Sequence, residues 1–124
     1  MRLLVVEDQP GDLRIAVEAG KASGYSEIDA KSTAGAAKVY LERGLEGGHP
    51  LPDAIMLDLD LGYESGFELL RLWHGQPRLS RIPLVVWTIL GEEHRDICRL
   101  FKVTVYLSKQ DGSVVLREAL SGLS

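Results

Sequence analysis

Residues 55–61 read IMLDLDL, an apolar run that ends in two closely spaced carboxylates. Two further apolar runs rich in branched side chains, LLVV at 3–6 and LVVW at 84–87, also stop at polar residues. Continuous apolar runs of this length are typical of parallel strands that are covered on both faces. The segment therefore predicts a buried strand over 55–57, with Asp58 just beyond its carboxyl end.

Two segments of mixed polarity, 27–31 and 103–107, predict two more strands, which suit the edges of a sheet. Amphipathic stretches between the strands predict five helices, whose starts are indicated by Asp12, Thr33, Ser65, Gly91 and Ser113. Ser65 and Glu68 also have the spacing of a capping box. Five alternating strand–helix units predict one α/β domain over 1–124. We expect a flavodoxin-like, doubly wound, five-stranded parallel sheet of order 2-1-3-4-5, with helices on both faces.

The composition excludes several classes of function. The net charge is −4 and the 14 basic residues are scattered, so the chain lacks the clustered basic surface that nucleic acids require. No apolar run approaches the ~20 residues that span a bilayer. The lone Cys98 excludes an intrachain disulfide and fits a reducing compartment. We therefore expect a cytoplasmic protein that binds neither nucleic acid nor membrane.

Polar residues follow the predicted strands in an unusual combination. Glu7 and Asp8 follow the first strand and Asp58 the third, whereas Thr88 ends the fourth and Lys109 follows the fifth. Any one of these alone is more often a helix cap or a solvated loop charge. Together they predict a cluster at one sheet edge, where doubly wound folds bind ligands. Two carboxylates ~4 Å apart repel by about 4 kcal/mol at an effective dielectric near 20, so the cluster requires a cation, and Mg²⁺ suits such oxygen ligands.

Four segments resemble the motifs of two-component receiver domains: VVED at 5–8, IMLDLDL at 55–61, PLVVWT at 83–88 and YLSK at 106–109. The resemblance covers essentially the whole chain. It implies a single receiver domain without an output domain, which takes a phosphoryl group from a sensor histidine kinase or a phosphotransfer protein. Such a protein is a signalling switch with weak self-dephosphorylation rather than a metabolic enzyme.

The resemblance also implies a role for each residue at the strand ends. Asp58 would be the phosphoacceptor and Asp8 a direct ligand of Mg²⁺. Glu7 would act mainly through metal-bound water, and the backbone carbonyl of Asp60 would complete the protein ligands. The remaining matched positions are Thr88 and Lys109, which contact the phosphoryl group, Gly66 in the loop after the acceptor, and Tyr106, which forms the switch with Thr88.

Partners follow from the same resemblance. The segment 7–12 and the long loop before Asp53 resemble single-domain regulators that are paired with phytochrome-like histidine kinases. Output would pass to an unidentified downstream protein or through a homodimer. The face for either is the one formed by the predicted fourth helix, fifth strand and fifth helix.

Four positions depart from the family pattern. Gln110 replaces the usual proline after the lysine, so the preceding bond is either trans with a rearranged loop or cis with strain. Gly62 replaces another proline and should loosen the loop after the acceptor. Lys102 stands where a glycine is common, which makes a left-handed stop of the fourth helix less favourable. Ile89 is large for its position, and we expect it at the mouth of the pocket, where it would slow access to Asp58.

The sequence leaves two alternative functions open. A pseudo-receiver would keep the fold as a protein-interaction module that ignores phosphate, which the departures at Gln110 and Ile89 favour. A haloacid-dehalogenase-like phosphatase is the other alternative, because Asp58 and Asp60 have the spacing of that family's nucleophile and acid. Against it, that family places its metal-binding acids after the lysine, whereas here they come first.

Overall fold

The computed structural model describes residues 1–62, 64–89 and 92–123. Its elements in chain order are β1 (Arg2–Val6), α1 (Pro10–Ala22), β2 (Glu27–Lys31), α2 (Ala34–Leu45), β3 (Ala54–Leu57), β4 (Asp60–Leu61), β5 (Glu64–Ser65), α3 (Phe67–Gly75), α4 (Pro77–Ser80), β6 (Leu84–Thr88), α5 (Glu93–Leu100), β7 (Val105–Ser108) and α6 (Ser113–Gly122). A 3-10 turn, Lys109–Asp111, joins the last strand to the last helix.

Five parallel strands form the central sheet in the order β2-β1-β3-β6-β7. This confirms the predicted order, because β6 and β7 are the fourth and fifth strands once the short β4–β5 pair is set aside. The central strands are buried along nearly their whole length, whereas β2 and β7 are partly exposed edge strands. The apolar runs are therefore the strands that are covered on both faces, as the sequence predicts.

Helices cover both faces of the sheet and create two separate cores. On one face α2, α3, α4 and α5 pack on the sheet through residues such as Leu41, Leu70 and Cys98. On the other face α1 and α6 pack through residues such as Ala16 and Leu116. None of the helices in the described ranges has the length and apolar character needed to cross a bilayer.

The predicted helix starts are only partly correct. Thr33 caps α2 as expected, with its side chain accepting a hydrogen bond from the amide of Ala36 at 3.0 Å. The capping box at Ser65 is wrong, because Gly66 occupies the N-cap of α3 and Ser65 accepts from the amide of Phe67 instead. Ser113 is the first residue of α6 rather than its cap. The first helix begins at Pro10, ahead of Asp12, and Gly91 lies outside the described residues.

The end of α5 corrects a second expectation. Lys102 adopts the left-handed conformation with φ of +61°, although it is not a glycine. The amide of Val103 donates to the carbonyl of Cys98 at 3.1 Å, and that of Lys102 to Arg99 at 3.0 Å. This pair of hydrogen bonds is the Schellman motif. Val103 packs against the core cluster that contains Cys98, which offsets the cost of the left-handed lysine.

The two loops around the predicted site also take definite conformations. None of the described peptide bonds is cis, so the bond between Lys109 and Gln110 is trans. After it the chain enters the 3-10 turn, in which the side chain of Ser108 accepts from the amide of Gln110. Gly62 follows β4 in the left-handed region, with φ of +69°. Proline could not adopt this conformation, because its ring fixes φ near −65°.

Candidate functional site

The carboxyl ends of the strands bring the predicted residues together at one edge of the sheet. Glu7 directly follows β1, and its amide donates to the carbonyl of Lys31 on β2 at 3.0 Å. Asp58 directly follows β3, and its amide donates to Val6 on β1 at the same distance. The backbone hydrogen bonds thus continue one residue past each strand and fix the backbone of both residues. Glu7, Asp58 and Thr88 are the buried polar or charged residues of the described chain.

Three carboxylates form a compact cluster in this position. Oxygens of Glu7, Asp8 and Asp58 all lie within 4.8 Å of one another. Asp58 Oδ1 accepts from the amide of Asp60 at 3.0 Å, and Glu7 Oε1 accepts from the amide of Gln9 at 3.1 Å. Asp8 Oδ1 is buried without a hydrogen-bond partner among the described residues. A buried carboxylate oxygen without a donor costs free energy unless a cation contacts it, so the cluster fits a divalent metal ion with hard oxygen ligands.

Lys109 supplies the positive charge of the site. Its ammonium Nζ lies 2.9 Å from Asp58 Oδ2, 3.0 Å from Glu7 Oε2 and 2.8 Å from Asp12 Oδ2. It also lies 5.3 Å from the centre of the Trp87 ring. Burial alone would lower the pKa of Lys109, but the hydrogen bonds to the three carboxylates outweigh burial and raise that pKa. The lysine therefore stays charged inside the site.

The balance of charge in the pocket favours an additional cation. Burial raises the pKa of Glu7 to about 7, and the neighbouring charge of Asp58 adds to the effect, although Lys109 opposes it. The ammonium of Lys109 contacts three carboxylates, those of Glu7, Asp12 and Asp58, and the acidic cluster adds a fourth, that of Asp8. A divalent cation would neutralise this excess of negative charge.

The remaining predicted residues lie around this cluster. Thr88 is fully buried at the end of β6 and is paired in register with Ser108, next to Lys109. Tyr106 is half-buried on β7, and the guanidinium of Arg95 lies 4.9 Å from the centre of its ring. The side chain of Asp60 is exposed, so only its backbone faces the acceptor closely.

Gly66 lies so close to the backbone of Asp58 and Leu59 that a side chain would not fit there. A Cβ at this residue would lie 2.7 Å from the carbonyl oxygen of Asp58 and 2.8 Å from Cα of Leu59. Its amide donates to the carbonyl of Leu59 at 3.0 Å. Glycine is therefore required for the loop after the acceptor to fold back on itself.

Ile89 lines the mouth of the pocket, as predicted. The pocket has a volume of about 300 Å³, and its lining includes Asp8, Asp58, Lys109 and Ile89. The side chain of Ile89 is 59% exposed. It therefore lies on the solvent-exposed side of the pocket that contains Asp58.

Two residues of the site were missed by the sequence analysis. The sequence predicts Asp12 only as a helix start, yet it makes the shortest contact with Lys109. Its place in the first turn of α1, where side chains point back toward the helix N-terminus, could have indicated this. Gly62 was expected to loosen its loop, but a Cβ there would lie 3.2 Å from Asp8 Oδ2. Its glycine keeps the backbone close to that carboxylate.

Comparison with known proteins agrees with this geometry. The chain is 32% identical over 125 residues to response regulator Rcp1 of Synechocystis sp., an alignment that covers 98% of this chain and 84% of Rcp1. No family model matches the sequence. The identity to Rcp1 shows that the chain belongs to the response regulators, signalling proteins whose receiver domains are phosphorylated on aspartate. This membership excludes the haloacid-dehalogenase-like alternative.

Solved structures of similar proteins have the same fold. The Mn²⁺-bound form of Rcp1 matches with 31% identity and a TM-score of 0.82, over 98% of this chain and 90% of that structure. The phosphorylated cyanobacterial phytochrome response regulator RcpA matches with 28% identity and a TM-score of 0.81, over 98% and 89%. The bacteriophytochrome response regulator AtBRR matches with 25% identity and a TM-score of 0.73, over 99% and 93%. The fold is therefore that of a receiver domain.

Proposed function

We propose that Asp58 is the residue that accepts the phosphoryl group. The observation that carries the proposal is its placement: the carboxylate is buried at the end of the central strand β3, yet it lines an open pocket. Asp58 Oδ2 contacts the ammonium of Lys109 at 2.9 Å, so a cationic group already lies where a phosphoryl oxygen would need one. Within the described ranges, no other aspartate at a strand end combines burial with contact to the lysine.

The donor we propose is the phosphohistidine of a sensor histidine kinase or a phosphotransfer protein. In the transfer, a carboxylate oxygen of Asp58 forms a bond to phosphorus with its lone pair. The P–N bond breaks, and its electron pair returns to the imidazole nitrogen of the donor. Lys109 and the hydroxyl of Thr88 stabilise the negative charge on the phosphoryl oxygens. The self-dephosphorylation that follows, by attack of water on phosphorus, is slow, so the chain acts as a signalling protein and not as a metabolic enzyme.

Mg²⁺ is the proposed metal, held by Asp8, Asp58 and the backbone carbonyl of Asp60, with Glu7 acting mainly through metal-bound water. The unpartnered Asp8 Oδ1 and the clustered carboxylates support such an ion. When bound, it would offset the repulsion between the carboxylates and the phosphoryl group. Calorimetric titration with MgCl₂ should give saturable binding for the wild type and at least tenfold weaker binding for Asp8→Ala. Equal binding by both proteins would place the metal elsewhere.

The phosphorylation proposal is tested by mass spectrometry. The protein is incubated with acetyl phosphate and Mg²⁺, and its intact mass is followed with time. The wild type should gain one phosphoryl group, which hydroxylamine removes, whereas Asp58→Asn should gain none. Asp53→Asn is the matched control, because Asp53 precedes the same strand and lies at the opposite edge of the sheet. A wild type that gains no mass would identify the chain as a pseudo-receiver.

We also propose how the phosphorylated state reaches a partner. Thr88 and Tyr106 would couple the pocket to the face formed by α5, β7 and α6. This face exposes apolar side chains, with Leu100 79% exposed and Val114 52% exposed. A homodimer through this face is one form of output, and an unidentified downstream protein is the other.

Sedimentation velocity tests the dimer, with and without beryllofluoride as a mimic of the phosphoryl group. The wild type should dimerise with the mimic, and Leu100→Ser should not. A monomer under both conditions would leave the face to a heterologous partner.

The compartment we propose is the cytoplasm. The kinase we propose is of the phytochrome-like type, because the similar proteins RcpA and AtBRR are a phytochrome and a bacteriophytochrome response regulator. Incubation of the protein with such a kinase and ATP tests that assignment.

A further inference from the structure

Asp12 contacts Lys109, and the proposed reaction assigns no role to this contact. Its Oδ2 lies 2.8 Å from the ammonium of Lys109, closer than either Glu7 or Asp58. Asp12 belongs to the first turn of α1, whereas Glu7 and Asp58 follow strands. The lysine is therefore held from two sides, by the strand ends and by a helix.

The three carboxylates that contact Lys109 differ in their proposed roles and in their exposure to solvent. Glu7 and Asp58 belong to the acidic cluster within 4.8 Å, and Asp58 is the proposed nucleophile. Once a metal and a phosphoryl group occupy those oxygens, Asp12 is the carboxylate that stays available to Lys109. Asp12 is also partly exposed, with 34% of its side chain accessible against 2% for Asp58. It therefore lies at the rim of the pocket and not within the cluster.

Lys109 lies in an exposed turn, so contacts of its side chain are needed to hold the ammonium in the pocket. The lysine begins a 3-10 turn, and its bond to Gln110 is trans. The turn ends at Gly112, with φ of +88°, and its residues are not buried. A long lysine side chain loses about 2 kcal/mol of rotamer freedom when it is fixed, so a mobile ammonium would sample positions away from Asp58. Contact with Asp12 and the Trp87 ring restricts it to the pocket.

We propose that Asp12 is a positioning residue, which holds the ammonium of Lys109 over Asp58 and so sets the rate of phosphorylation. This inference rests on the proposed function of Asp58. Asp12 is not one of the three clustered carboxylates, and it acts through its contact with Lys109. Its contribution must therefore vanish when Lys109 is removed.

A double-mutant cycle on labelling by acetyl phosphate tests this dependence. Asp12→Ala should slow labelling of Asp58 by about tenfold, which corresponds to the loss of one strong charge-assisted contact. Asp12→Asn keeps an oxygen acceptor and should slow labelling less. In the Lys109→Ala background, Asp12→Ala should have no further effect. An equal slowing in both backgrounds, or no slowing in the first, would overturn the proposal.

A second measurement does not depend on phosphorylation and separates this inference from the proposed function. The side-chain ammonium of Lys109, assigned by its loss in Lys109→Arg, should give a ¹⁵N NMR signal that is protected from exchange with water. That signal should be lost in Asp12→Ala and retained in Glu18→Gln, an exposed charge change on the same helix. Retention of the signal in Asp12→Ala would overturn the positioning role, even if the wild type is never labelled.

Discussion

Ile89→Ala tests whether access to Asp58 is obstructed. Ile89 lines the pocket that contains Asp58 and Lys109, and 59% of its side chain is exposed. A branched side chain has few χ1 options, so it can clear the path only by leaving its preferred rotamer. That displacement costs about 0.5–1.5 kcal/mol, which predicts that the alanine variant reacts about twofold to tenfold faster. Both labelling by acetyl phosphate and later hydrolysis should accelerate, because both require in-line approach to phosphorus.

The assay compares the two rates in the wild type and the variant by intact mass at one saturating Mg²⁺ concentration. Because Ile89 is largely exposed, its truncation should change the free energy of unfolding by no more than about 0.5 kcal/mol. Ile89→Val keeps the branch at Cβ and should react nearly as slowly as the wild type. Val39→Ala removes exposed apolar volume from α2, outside the pocket lining. Unchanged rates in Ile89→Ala, or equal acceleration in Val39→Ala, would refute the obstruction.

Three further predictions concern the backbone and the core. Gly66→Ala should lower the free energy of unfolding by about 1–3 kcal/mol, since its Cβ would meet the carbonyl of Asp58 at 2.7 Å. In Gly75→Ala the added Cβ meets nothing within 4 Å, so thermal unfolding should show a loss of stability for Gly66→Ala but not for Gly75→Ala. Lys102→Gly should raise the free energy of unfolding by about 0.5–1 kcal/mol, because relief of the left-handed strain exceeds the added entropy of the unfolded chain. A lower urea midpoint than that of the wild type would contradict this. Burial raises the pKa of Cys98 to about 11, so its thiol should react with a disulfide reagent only as fast as the protein unfolds; rapid reaction in native buffer at pH 8 would contradict its burial.

Much of the fold was predictable, because the strands differ in how they are buried. The runs at 3–6, 55–57 and 84–87 are apolar at every position, and they are the strands covered by helices on both faces. The mixed segment at 27–31 became an edge strand, as a half-exposed sequence should. Since polar residues follow these strands directly, the meeting of Glu7 and Asp58 was predictable as well.

The errors arose where the backbone conformation depends on contacts distant in sequence. The left-handed Lys102 could not be predicted from residue type, because hydrogen bonds to the last turn and the packing of Val103 outweigh its intrinsic cost. Ser113 has the chemistry of a cap, but Gly112, with φ of +88°, occupies that position. The contact of Asp12 with Lys109 could not be predicted, because an acidic residue at a helix start is already explained by the helix, and Lys109 lies far away in sequence.

The chain's two tryptophans lie on opposite faces of the sheet. Trp73 belongs to α3 and is buried in the core covered by α2, α3, α4 and α5, with its indole N–H donating to the carbonyl of Ile82 at 2.9 Å. Trp87 is buried in the core beneath α1 and α6, with the ammonium of Lys109 against its ring. Each layer of the protein therefore has its own intrinsic fluorophore. Trp73→Phe and Trp87→Phe would allow denaturation of the two layers to be followed separately, so that the cooperativity between them becomes measurable without any added dye.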